Sequence, residues 1–137
     1  MNKVSTELAP AAIGPYSQAI TTGDLVFTSG QVPLDSETGE VVGTTIEEQA
    51  DRVFKNLKAV LEEAGSGLGL AVKTTCFLAD MNDFAAFNGV YEKYFSEMPA
   101  RSCVEVSKLP KGVLCEVEVI AEIDRTLKKP TYSFRIQ

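Results

Sequence analysis

From Ile46 onward, apolar residues recur at three- and four-residue steps: Ile46, Ala50, Val53, Leu57, Val60, Leu61 and Ala64. That spacing puts all of them on one face of a helix. Thr45 and Glu48 read as a capping box at its start, and Gly65 as its stop. A helix with one long apolar stripe must lie on something apolar, and the rest of the chain supplies strands. Residues 16–20 and 25–29 are short strand-like runs joined through Thr21-Thr22-Gly23-Asp24, which reads as a hairpin. Residues 35–40 form a polar turn. Residues 71–79 are rich in β-branched and aromatic side chains. Asn82 or Asp83 then caps a second helix with Phe84, Phe87, Tyr91 and Tyr94 on one face, weakened but not broken by Gly89. Residues 101–107 and 114–124 alternate as strands around a turn at 108–112. The order is ββαβαββ, which predicts an α+β single domain.

A chain of 137 residues with 45% hydrophobic content matches one ordinary domain and needs no staple. There is no repeat, low-complexity stretch or linker to divide it, so residues 1–124 form the body and 125–137 a basic C-terminal extension. The extension carries Arg125, Lys128, Lys129 and Arg135 and no acid. The whole chain has a net charge of -6, so the body is at about -10, and such a field repels phosphate backbones. In the extension, Tyr132, Phe134 and Ile136 alternate with polar residues, leaving a short added strand and a solvated tail both open. No apolar run approaches the roughly 20 residues of a membrane span, and no secretory leader is legible, so a soluble cytoplasmic protein is expected.

Cys76, Cys103 and Cys115 are an odd set at wide spacings, which suits a reducing compartment better than disulfides or a zinc cluster. The chain has no histidine, which removes Ser-His-Asp and Cys-His catalysis together with imidazole bases. Among the groups that remain, Arg101 heads an otherwise apolar strand, where its planar fork suits a small carboxylate. A strand-end arginine in a surface ion pair is the ordinary alternative. Glu116, Glu118 and Glu122 alternate with apolar residues on the next strand, either as a solvated face or as a carboxylate that holds a water near Arg101. Tyr16 and Ser29 offer hydroxyls, or pack and turn as such residues commonly do. Without a histidine base, Cys103 reads as a small buried hydrophobe rather than a nucleophile.

Five segments in one order resemble the Rid family, the YjgF-type or L-PSP reactive intermediate deaminases. They are Pro10-Ala11-Ala12-Ile13-Gly14-Pro15-Tyr16-Ser17-Gln18, Thr28-Ser29-Gly30-Gln31-Val32-Pro33, Val72-Lys73-Thr74-Thr75-Cys76-Phe77-Leu78, Asn82-Asp83-Phe84 running on to Asn88 and Tyr91, and Pro99-Ala100-Arg101-Ser102-Cys103-Val104-Glu105-Val106. The resemblance implies a chorismate-mutase-like fold, a mixed sheet with two helices packed on one face. It also implies a homotrimer whose intersubunit clefts bind small 2-imino or 2-keto acids. The implied activity is hydrolysis of 2-iminobutanoate and 2-iminopropanoate to keto acids and ammonia, without metal or cofactor. By position, Arg101 grips the substrate carboxylate and Glu116 orients water. Tyr16, Ser29, Gly30 and Cys103 line the pocket, with Phe84 and Asn88 near it. The family has also been labelled endoribonuclease or translation inhibitor, and a keto-acid-binding or chaperone-like role would use the same pocket. The acidic body disfavours nucleic acid.

Three segments depart from the family pattern: a shorter connection from Tyr91 to Pro99, a glycine-rich stretch at 65–70 that reads as a looser loop, and the basic extension. Strand parity gives one further expectation. If the strands of Arg101 and Glu116 pair antiparallel, burying Val117 and Val119 against the helices puts Arg101 and Glu116 on one sheet face.

Overall fold

A computed structural model describes residues 1–127 of the chain. Six strands form one sheet: β1 (Asn2–Val4), β2 (Ala19–Thr22), β3 (Leu25–Thr28), β4 (Ala71–Leu78), β5 (Ala100–Glu105) and β6 (Cys115–Glu122). Two helices, α1 (Ile46–Glu63) and α2 (Phe84–Tyr94), pack on one of its faces. The architecture is the expected α+β, chorismate-mutase-like single domain with a mixed sheet. Among the described residues, no helix is long and apolar enough to cross a membrane.

Helix α1 forms as its sequence dictates. Glu48 donates its backbone N–H to the Thr45 hydroxyl at 3.2 Å, and the Glu48 carboxylate accepts from the Thr45 N–H at 3.2 Å. At the other end Gly65 takes a φ of 83°, the Ser66 N–H reaches the Leu61 carbonyl at 2.8 Å, and the Gly65 N–H reaches that of Glu62. The apolar stripe from Ile46 to Leu61 is buried, and Phe54 meets the rings of Phe87, Tyr91 and Phe95 from α2 and its exit. Buried polar side chains on α1 tie down loops. Asn56 donates to the carbonyls of Val32 and Leu34 at 3.1 and 3.0 Å. Gln49 donates to the Gly43 carbonyl and accepts from the Leu114 N–H.

Several local expectations change. The first hairpin starts at Ala19, leaving Tyr16 in the preceding loop, and β1 adds a strand the sequence did not suggest. The cap before α2 falls on Asp80, whose carboxylate accepts from the Asn82 N–H at 2.8 Å, while the Asp83 side chain makes no cap bond. The stretch at 65–70 is not loose: the Ser66 hydroxyl donates to the Glu122 carbonyl at 2.6 Å, the Asp124 N–H to the Gly65 carbonyl, and Leu68–Leu70 form a 3-10 turn. Of the basic extension, Arg125 contacts Asp24 and the Gly23 carbonyl, and the strand proposed around Tyr132, Phe134 and Ile136 lies outside the described residues.

The larger correction is topological. The strand order is β1-β2-β3-β6-β4-β5, so β5 and β6 are not partners. Helix α2 carries the chain from β4 across to a parallel β5, the arrangement that a strand-helix-strand unit requires. The segment after β5 then steps past β4 to reach β6, which pairs antiparallel with β4 and β3. Register fixes the faces. Thr74 lies opposite Arg101 and Cys76 opposite Cys103 and Val117, so these residues face the helices. Phe77 lies opposite Glu116 and Val104, and Thr75 opposite Glu118 and Ser102, all facing away. Val117 and Val119 are buried as expected, but Arg101 is on their side of the sheet and Glu116 is not.

Candidate active site

The Arg101 side of the sheet is an aromatic recess between β5 and α2. Phe84, Asn88 and Tyr91 recur at four- and three-residue steps, so one face of α2 presents them together to β5. The Arg101 Nη1 donates to the Asn88 Oδ1 at 2.7 Å. Its guanidinium carbon lies 4.7 Å from the Tyr91 ring centre and 5.4 Å from that of Phe84. The salt bridges among the described residues include none to Arg101. A half-buried guanidinium with one donor engaged and no salt bridge among the described residues has the chemistry to accept an anion.

Cys103 sits two residues further along the same face, against Cys76. Burial pushes the Cys103 thiol up, an effect that Arg101 and the Cys76 contact offset only in part. Burial also pushes Cys76 and Cys115 up, to about 12. These sulfurs are neutral at physiological pH, Cys103 as a half-buried thiol two residues from Arg101 and Cys76 and Cys115 as buried core thiols.

The Glu116 side is a separate cleft of about 620 Å³ lined by Tyr16, Ser29, Gly30, Lys111, Glu116 and Glu118, among others. Gly30 follows β3, where Gln31 exchanges backbone bonds with Val117 of β6, so the glycine backbone runs directly beside Glu116. A methyl on Gly30 would overlap the Glu116 carboxylate oxygen, and only glycine leaves that space. The Glu116 carboxyl is raised above the usual carboxylate range, first by burial and then by Glu118. The Ser29 hydroxyl donates to the Ser17 carbonyl at 2.6 Å, which ties down the loop at the cleft wall. Tyr16 is 53% exposed at the rim. Among the described residues, no group of three or more acidic or sulfur ligands is placed to hold a metal ion.

The structure therefore brings Phe84, Asn88, Arg101 and Cys103 together, and separately Tyr16, Ser29, Gly30 and Glu116. It does not bring the two sets together within one chain. Sequence reasoning gave no site role to Thr74 or Lys111, and took Tyr91 as a helix-face aromatic within a family-like segment. No local pattern marks Lys111, whose ammonium donates to the Gly39 carbonyl from a turn residue with a φ of 56°.

An α+β domain of this strand order, with an arginine in an aromatic recess and a raised carboxylate in a second cleft, belongs to the chorismate-mutase-like class of folds. The chain belongs to the Rid family, of YjgF type: the family model described as Endoribonuclease L-PSP matches residues 6–123. It is 57% identical over 119 residues to a RutC family protein of Pyrococcus abyssi, covering 86% of this chain and 94% of that one. It is 51% identical over 122 residues to the 2-iminobutanoate/2-iminopropanoate deaminase of Salmonella typhimurium, covering 86% and 94%. The solved YjgF gene product of Escherichia coli superposes with a TM-score of 0.85 at 48% identity, covering 89% of this chain and 98% of that one.

Proposed function

We propose that the chain is a hydrolytic deaminase of 2-imino and 2-enamino acids, acting as a homotrimer in which Arg101 of one copy and Glu116 of another close on the same substrate. The observation that carries the reading is Arg101, a half-buried cation that lacks an acidic partner among the described residues. The deaminase name of a relative that is 51% identical supports the reaction. Two structural facts support the division between copies. First, β5 is the edge strand, so Arg101 can be approached from beyond the sheet. Second, the outward face bearing Glu116 also carries Phe27, 39% exposed, and Val104, 45% exposed, with Phe77 and Ile120 beside them, an apolar surface suited to a second copy.

In this mechanism the guanidinium takes the substrate carboxylate through its free N–H groups, orienting the imine carbon. Ionised Glu116 accepts a proton as water adds to that carbon. The same proton returns to nitrogen, the C–N bond breaks as the new hydroxyl gives its proton to the again ionised Glu116, and the 2-keto acid leaves with ammonia, which carries that proton away as ammonium. A protonated imine is already electrophilic, so no histidine is needed.

The test couples the purified chain to an enzyme that releases 2-iminobutanoate, with semicarbazide as the trap. Faster keto-acid release and less semicarbazone in the presence of the chain are expected. Unchanged trapping together with tight 2-oxobutanoate binding would reduce the protein to a binding module.

A further inference from the structure

We infer that Tyr91 and Thr74 are positioning residues for Arg101, the tyrosine ring serving as the bed on which the guanidinium lies and Thr74 holding that ring in place. The inference rests on Arg101 being the carboxylate clamp.

A clamp that offers two parallel N–H groups must have its plane fixed as well as its position. Asn88 holds one nitrogen, at 2.7 Å, and leaves the plane free to turn about that bond. The Tyr91 ring, 4.7 Å from the guanidinium carbon, supplies the surface that sets the plane, with Phe84 further off at 5.4 Å. Tyr91 belongs to α2 whereas Arg101 belongs to the sheet, so a second link is needed to stop the bed from sliding under the arginine. That link is the bond between the Tyr91 hydroxyl and the Thr74 Oγ1, 2.7 Å long and buried. Thr74 is wholly buried and is the residue directly opposite Arg101 in the β4–β5 pair. The ring is thus pinned to the strand position that faces the backbone of the arginine itself. Simple packing does not require this arrangement, because phenylalanine against an apolar residue would fill the space without burying two hydroxyls.

The experiment measures binding of 2-oxobutanoate and of its neutral amide, 2-oxobutanamide, to the full chain, together with thermal melting. The ratio of the two affinities reads the clamp alone. Arg101→Ala should collapse the ratio, and if it does not, the clamp reading falls and this inference with it. With that control in hand, Tyr91→Phe and Thr74→Val should each lower the ratio roughly threefold to tenfold, the scale of one buried hydrogen bond, and each should also lower the melting temperature by stranding a partner. The double variant Tyr91→Phe/Thr74→Val strands nothing, so its stability should recover while the ratio stays low. Recovery of the ratio along with stability would make the pair merely structural. So would single variants that never lose it, and either result overturns the inference.

Discussion

Glu116 keeps its carboxylate in the space that any side chain on Gly30 would occupy. Gly30→Ala should therefore displace the Glu116 carboxylate without unfolding the chain. Deamination, followed by semicarbazone trapping, is expected to drop at least about tenfold while the far-ultraviolet spectrum is unchanged. The raised carboxyl of Glu116 has two further consequences. The acid limb of kcat/KM should lie above the usual carboxylate range, because the ionised form must accept the proton from water. The folded chain also holds this proton more tightly than the unfolded chain does. Glu116 therefore favours the fold most below its unfolded pKa, and that contribution is lost as pH rises through the folded value. Above the folded value the charged group works against folding, so there Glu116→Gln should melt no lower than the parent while losing activity, as calorimetry beside the trapping assay will register. Arg101→Lys should fail nearly as badly as Arg101→Ala, since an ammonium cannot present two parallel donors; a fully active lysine variant removes the clamp.

Helix α1 positions the second cleft by holding its wall, for Asn56 reaches the carbonyls of Val32 and Leu34 from the buried face. Asn56→Leu strands the Leu34 carbonyl and takes one of two donors from that of Val32, which keeps the Leu34 N–H, and a loss of about 1–3 kcal/mol in urea unfolding is expected. This helix was legible in the sequence, cap and stop included, because its signals are local: period, a hydroxyl three residues before a glutamate, and a terminal glycine. The sheet pairing was not. Residues 101–124 read as a hairpin because two alternating runs flank a turn with Pro110 and Gly112, and nothing local records that α2 has already placed β5 beside β4. Strand parity within such a hairpin puts the glutamates and valines of β6 on their correct faces and Arg101 on the wrong one. Arg101, Glu116, Tyr16, Ser29 and Cys103 could be singled out by residue type and pattern, but their roles, and Gly30, Phe84 and Asn88 as site residues, were legible only through the family resemblance. The Thr74–Tyr91 bond joins residues 17 apart through the packing of α2 on the sheet, which no pattern along the chain encodes.

At the scale of the whole molecule, one chain holds both halves of the proposed site on opposite faces of its sheet. Light scattering should therefore find a particle about three times 14.8 kDa. Mixing tests the division directly. Arg101→Ala and Glu116→Gln should each be inactive alone. Unfolded and refolded together in equal amounts, they should regain about a quarter of wild-type turnover, because that share of clefts draws a good arginine from one copy and a good glutamate from another. No regain in a properly mixed oligomer would return both groups to a single chain. The placement of β5 at the sheet edge, with its arginine turned away from the glutamate-bearing face, also bears on abundance. In the proposed assembly a chain on its own lacks half of each cleft, so specific activity should decline on dilution toward the assembly constant, and halving the concentration near that point should cost more than half of the turnover.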